Sequence, residues 1–233
     1  MGRFRNVSRK LADKLWPEKV WFEDNVTLEG VYYPRLSKFL HSEFSVPLDF
    51  LMACWGKWSQ REKATFASAF AMRPKLVPGD SAVIDFLMES GSPESWSMIA
   101  LLVAREYPDR DRAFDFLMAR VSEPVSRLAH SAMLSKANYY QALGVLGRPE
   151  CVPELKRALA RHREFVRLHP SLHWWKVWTD RLVYLDYLSC SATLFRLTGE
   201  EQYRTNLRSM LEHRDMPIRQ MVRAVTESSG IAI

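Results

Sequence analysis

The groups best suited to chemistry are concentrated in one basic and aromatic stretch between residues 161 and 181. Basic side chains, which neutralise phosphate or carboxylate groups, alternate here with imidazole and indole rings, which stack on planar groups. Eight residues form the candidate partner-binding site: Arg161, Arg163, Arg167, His169, His173, Trp174, Lys176 and Arg181. This chemistry suits single-stranded nucleic acid, and it suits an acidic protein segment equally well.

Two histidines in this stretch have the spacing of metal ligands. His169 and His173 are four residues apart, which on one continuous helix places both imidazoles on the same face. Pro170 lies between them and marks a helix start, so the pair is not expected to share a metal ion. No glycine-rich phosphate loop, serine-hydrolase motif or zinc-protease motif is present in the sequence. We therefore predict no metal, no cofactor and no catalytic residue, and we favour a protein that is not an enzyme.

Composition places the chain among ordinary globular proteins. Of its 233 residues, 47% are hydrophobic and 26% are charged. Its three cysteines form no metal-binding pair and predict reduced thiols rather than a disulfide framework. The apolar runs are too short to span a membrane, and the N-terminus lacks a secretory signal core. These features predict a cytoplasmic protein.

The net charge of +6 is unevenly distributed along the chain. Val77–Pro124 contains four basic and nine acidic residues, whereas Glu154–Arg181 contains seven basic and three acidic residues. An acidic middle with basic ends suits a partner whose own charge is patterned.

Nearly all of the apolar residues recur with helical period, and no segment alternates as a strand would. Val31-Tyr32-Tyr33 is too short to be counted as a strand. Turn and capping signals divide the chain into about ten helices, including a capping box at Ser59–Glu62 and a restart at Ser92-Pro93. The apolar face that runs from Ser171 to Leu197 predicts one helix of nearly twice the usual length.

The letters DFLM occur three times, at Asp49–Met52, Asp85–Met88 and Asp115–Met118. The second and third copies are each followed by a serine, a proline and a second apolar helix, so the repeated unit is helix, turn, helix. We expect the Phe, Leu and Met of each copy to be core residues, and the Asp to lie near a helix N-terminus.

Tyr139–Leu159 contains the letters ALGVLG, then RPEC and VPEL, and in this respect it resembles a HEAT-type repeat. The resemblance covers about one repeat well and Val77–Leu146 loosely. It implies an all-α fold, a right-handed α-solenoid of stacked hairpins with a concave binding surface. On this basis the chain is a single domain with N-terminal capping helices (1–45), HEAT-like hairpins (46–168), and a long Trp-rich helix with C-terminal capping helices (169–233).

Three functions are compatible with these features. The first is a protein-binding scaffold, adaptor or immunity-type protein, since HEAT-like proteins are mostly binders. The second is nucleic-acid binding, or a DNA glycosylase-like enzyme that uses Trp174, Trp178 and Asp180 in a basic groove. The third is membrane-surface association through a basic amphipathic helix near the N-terminus, where Phe4, Leu11 and Leu15 share one face. A protein partner is the leading expectation.

Overall fold

A computed structural model describes residues 25–27, 30–32, 45–73, 75–123, 135–172 and 177–233, and of residues 25–27, 30–32 and 177–179 the backbone alone. These residues contain ten α-helices, which confirms the predicted all-α class. The first four are α1 (Leu48–Trp55), α2 (Gln60–Ala71), α3 (Asp80–Ser90) and α4 (Pro93–Glu106). The next three are α5 (Arg110–Ser122), α6 (Ala137–Leu146) and α7 (Val152–Leu168), with a 3-10 turn at Pro149–Cys151 before α7. The last three are α8 (Val177–Thr198), α9 (Glu201–Leu211) and α10 (Met216–Ser229).

A short β-hairpin near the N-terminus corrects the expectation that the chain has no strand. β1 (Asn25–Thr27) pairs antiparallel with β2 (Gly30–Tyr32), and Val26 lies opposite Val31. The sequence pattern missed it because each strand has only three residues, fewer than the alternation test needs. The segment predicted as N-terminal capping helices therefore includes a hairpin; the predicted amphipathic helix lies outside the described residues.

The chain divides into two compact units, Met1–Ile99 and Ala100–Ile233. In the first unit an aromatic cluster surrounds Trp55, whose ring centroid lies 5.8 Å from that of Trp58 and 5.5 Å from that of Phe86. The Trp55 indole N–H donates to the Ser90 carbonyl oxygen at 2.9 Å, so α1 is fixed to the end of α3. The predicted capping box is confirmed: Ser59 accepts from the Glu62 amide, and the Glu62 carboxylate accepts from the Ser59 amide.

The three DFLM copies lie on α1, α3 and α5. The leucines are all fully buried, as predicted for core residues. The methionines differ: Met88 is buried, whereas Met52 is 56% exposed, so the prediction of a core role is wrong for Met52. The aspartate lies in the first turn only in α1; Asp85 and Asp115 are the sixth residues of α3 and α5. The first copy therefore lies closer to the start of its helix than the other two do.

The second unit is built around α8, the long helix that the sequence predicted. This helix has 22 residues and packs against α6, α7, α9 and α10. All residues from Asp186 to Leu194 are buried, so the helix is enclosed on every side over more than two turns. Although α8 is long, no helix in the described part of the chain is long and apolar enough to cross a bilayer.

Candidate functional site

The three predicted arginines of α7 are exposed, but they are not free cations. Arg161 lies 3.5 Å from the Glu154 carboxylate, and Arg167 forms a 2.7 Å ion pair with Glu164. Arg163 hydrogen-bonds the Tyr187 hydroxyl on α8. Ion pairs of this exposed kind contribute little to stability, so their main effect is to interleave negative charge among the basic side chains.

His169 is held by the end of α7 rather than presented for chemistry. Its ring stacks on that of Phe165 with centroids 4.2 Å apart, and its Nδ1 lies 3.0 Å from the Phe165 carbonyl oxygen. Its own carbonyl oxygen accepts from the Tyr184 hydroxyl at 2.8 Å. These contacts suit a residue that fixes the turn between α7 and α8.

Of the remaining predicted site residues, the structure describes Arg181 alone. His173, Trp174 and Lys176 lie outside the described residues. Arg181 is half-buried on α8. Asp180, the carboxylate considered for a glycosylase-like role, is buried in the first turn of α8.

A buried polar cluster that sequence reasoning missed lies where α8 meets the start of α6. The Asp186 carboxylate accepts from the Ser135 hydroxyl at 2.6 Å and from the backbone amides of Lys136 and Ala137. Those amides lie at the N-terminus of α6, where no earlier turn of the helix supplies carbonyl acceptors for them. Burial nevertheless raises the pKa of Asp186 from 3.8 to about 7, because the ionised form loses its hydration.

The same cluster contains a buried lysine and a tyrosine–histidine pair. The Lys136 ammonium donates to the Val121 carbonyl oxygen at 2.6 Å and to that of Glu123, and burial lowers its pKa. The Tyr140 hydroxyl lies 2.9 Å from Nε2 of His162. Burial, with the positive charges of Arg161 and Lys136, lowers the pKa of His162 to about 4, so this imidazole is neutral at pH 7.

A cleft of about 180 Å³ opens on another part of the second unit, and it is lined by α4, α6, α8 and α10. Its polar lining residues are Arg105, Gln141, Thr193, Arg196, Ser228 and Ser229, and none of its lining residues is acidic. Gly144 of α6 allows α6 and α8 to approach closely beside the cleft, because a Cβ atom there would lie 3.3 Å from the Thr193 side chain of α8. The predicted site residues that the structure describes do not line this cleft.

Two arginines give the cleft its charge. Arg105 and Arg196 are both exposed, and neither forms an ion pair or hydrogen bond within the described ranges. Three neighbouring polar groups are already engaged. Thr193 donates to the Tyr140 carbonyl oxygen at 2.8 Å, Ser228 to that of Val225 at 3.0 Å, and the Gln141 amide to the Ser189 hydroxyl at 3.3 Å. Among the described residues the two guanidinium groups and the Ser229 hydroxyl therefore remain as available donors.

Arg105 and Arg196 were missed because they lie 91 positions apart and each looks ordinary in its own helix. Among the described residues no group of three His, Cys, Asp or Glu side chains could hold a metal ion. Comparison with known proteins found no matching family model, no similar curated protein and no similar solved structure.

Proposed function

We propose that Ala100–Ile233 is a HEAT-like stack of helical hairpins that binds a protein partner, as a scaffold, adaptor or immunity-type protein does. One observation carries the proposal: alternate helices, α4, α6, α8 and α10, line one cleft. In a right-handed α-solenoid each hairpin contributes one helix to each layer, so every second helix faces the same binding surface.

The packing of α8 supports the same arrangement. Its neighbours are the two helices before it and the two helices after it in the chain, α6, α7, α9 and α10. Repeats that contact only adjacent repeats produce this pattern, because a helix meets its hairpin partner and the equivalent helices on either side.

The nucleic-acid alternative is less well supported by α7, its main candidate surface. Three basic side chains of this helix lie within 3 Å of a carboxylate: Lys156 beside Glu200, Arg157 beside Glu154, and Arg167 beside Glu164. Each phosphate bound there would have to displace an acidic group, which weakens the counterion-release term that drives such binding. A surface of interleaved charge suits a protein partner better.

Site-specific photo-crosslinking in a native lysate would test this function. A benzophenone side chain is placed either at Ser229, in the cleft, or at Arg157, on the exposed face of α7. We expect a discrete protein adduct from the Ser229 position, unchanged by nuclease, and little from the Arg157 position.

Two results would count against the proposal. Loss of every bound species on nuclease treatment would indicate a nucleic-acid partner. A protein adduct formed from the Arg157 position alone would move the binding surface to the other layer of helices.

A further inference from the structure

The cleft between α4, α6, α8 and α10 has a specific ligand chemistry. We infer that it binds one carboxylate group, the side chain of an aspartate or glutamate in an acidic segment of the partner, between Arg105 and Arg196. The inference rests on the proposed protein-binding function and adds the group that is recognised.

The size of the cleft limits the occupant to a few atoms. Its volume is about 180 Å³, whereas pockets for drug-sized ligands and cofactors occupy roughly 300–1,000 Å³. An acidic side chain that enters from a bound protein segment fits this space.

The net charge of the cleft selects a monoanion. Arg105 and Arg196 each lie in the last turn of their helix, where the helix dipole places about half a negative charge. The cleft is also lined by residues near the ends of α6 and α10, which add further carbonyl groups. The positive charge left for a ligand is therefore at most about one elementary charge. A carboxylate matches that charge, whereas a phosphate monoester, at about −1.5 to −2, exceeds it.

The available donors also match a carboxylate. A guanidinium group presents parallel N–H donors that bind both carboxylate oxygens. Ser229 lines the same cleft and its hydroxyl forms no hydrogen bond within the described residues. Two guanidinium groups and one hydroxyl can therefore surround a carboxylate while the other cleft hydroxyls keep their backbone partners.

The test is an NMR titration of the ¹⁵N-labelled chain with N-acetylglutamate α-amide, whose side-chain carboxylate is its only charge. The α-amides of N-acetylglutamine and N-acetyl-O-phosphoserine are the comparison ligands. We expect saturable shifts of the Gly144 and Ser229 amides with N-acetylglutamate α-amide alone. The double variant Arg105→Gln/Arg196→Gln should weaken binding at least tenfold, roughly the value of a charge-assisted hydrogen-bond pair. Arg157→Gln/Arg167→Gln is the matched control, because it removes the same charge from α7 and should change affinity less than about twofold.

A second variant, Ser229→Phe, fills the cleft without changing its charge and should also abolish the shifts. The inference is overturned if the uncharged N-acetylglutamine α-amide shifts the same amides, if N-acetyl-O-phosphoserine α-amide binds more tightly, or if the control variant loses as much affinity as the cleft variant. It is also overturned if N-acetylglutamate α-amide shifts neither amide. If the Ser229 photo-crosslink to a protein persists in Arg105→Gln/Arg196→Gln, the carboxylate inference fails while the protein-binding proposal stands.

Discussion

Asp186→Asn removes a buried carboxyl group from the centre of the second unit and keeps its shape. The asparagine oxygen can still accept from the Ser135 hydroxyl, which lies 2.6 Å from the native carboxylate. The variant should therefore remain folded and lose only the titration of this group. We expect its stability relative to wild type to depend strongly on pH.

The sign follows from the raised pKa of Asp186, 3.8 ordinarily and about 7 in the folded protein. Between these values the folded chain keeps a proton that the unfolded chain has lost. This contribution to stability is complete below pH 3.8 and disappears as the pH rises through about 7. The difference between the two pKa values corresponds to about 4 kcal/mol in the free energy of unfolding, since one pKa unit is worth about 1.4 kcal/mol.

The pKa shift of His162 has the opposite effect on the pH dependence of stability. Its pKa falls from 6.5 to about 4 in the folded protein, so stability from this group is gained as the pH rises from about 4 to 6.5. The two contributions nearly cancel in the wild-type chain. Without Asp186, the free energy of unfolding should rise with pH across this window, because the contribution of His162 is no longer offset.

Urea denaturation at several pH values between about 4 and 8 measures this difference directly. Asp186→Asn should gain about 4 kcal/mol relative to wild type from the low to the high end of the range. Asp115→Asn, at an exposed position of α5, controls for the loss of one acidic residue. A stability difference between wild type and Asp186→Asn that is constant to within about 1 kcal/mol would refute the reasoning.

Three further substitutions test the packing and one buried ion pair. In thermal unfolding, Gly144→Ala should destabilise the second unit by about 1–3 kcal/mol. The reason is that the new Cβ would lie 3.3 Å from a Thr193 side chain already fixed by a hydrogen bond. Gly56→Ala, where nothing lies within 4 Å, should be neutral or slightly stabilising in the same thermal unfolding assay; equal losses would contradict the packing account. Asp80→Ala should cost about 3–5 kcal/mol in urea denaturation, because it removes the carboxylate 2.9 Å from buried Arg73; a loss below about 1 kcal/mol would contradict this.

Local sequence signals predicted the helices well. The Ser59–Glu62 capping box and the start of α4 at Pro93 depend on neighbouring residues alone, and both are as predicted. The burial of the DFLM leucines follows from helical period. Met52 was predicted wrongly because the exposure of a side chain depends on which neighbours cover that side of the helix, and an alignment of the copies does not contain this information.

Local sequence signals could not identify the polar sites, because their residues lie far apart in the sequence. Ser135 and Asp186 meet across 51 positions, and Asp186 stands within the apolar stretch that forms the core of α8. Arg105 belongs to a charged segment, Arg105–Asp115, in which acidic and basic residues alternate, a pattern that favours local ion pairs. In the structure Asp111 of this segment pairs with Arg148, far along the chain, and Arg105 faces the cleft. Such pairings depend on which helices become neighbours.

The enclosed position of α8 affects the order in which the second unit can fold during synthesis. Synthesis proceeds from the N-terminus, so α6 and α7 leave the ribosome before the helix against which they pack. Until Thr198 has emerged, Leu143 of α6 and Leu155 of α7, both fully buried in the finished fold, have no α8 to cover them. The second unit should therefore reach its native packing only after α8 has been synthesised, and until then its nascent chain should be a substrate for chaperones that bind exposed apolar helices.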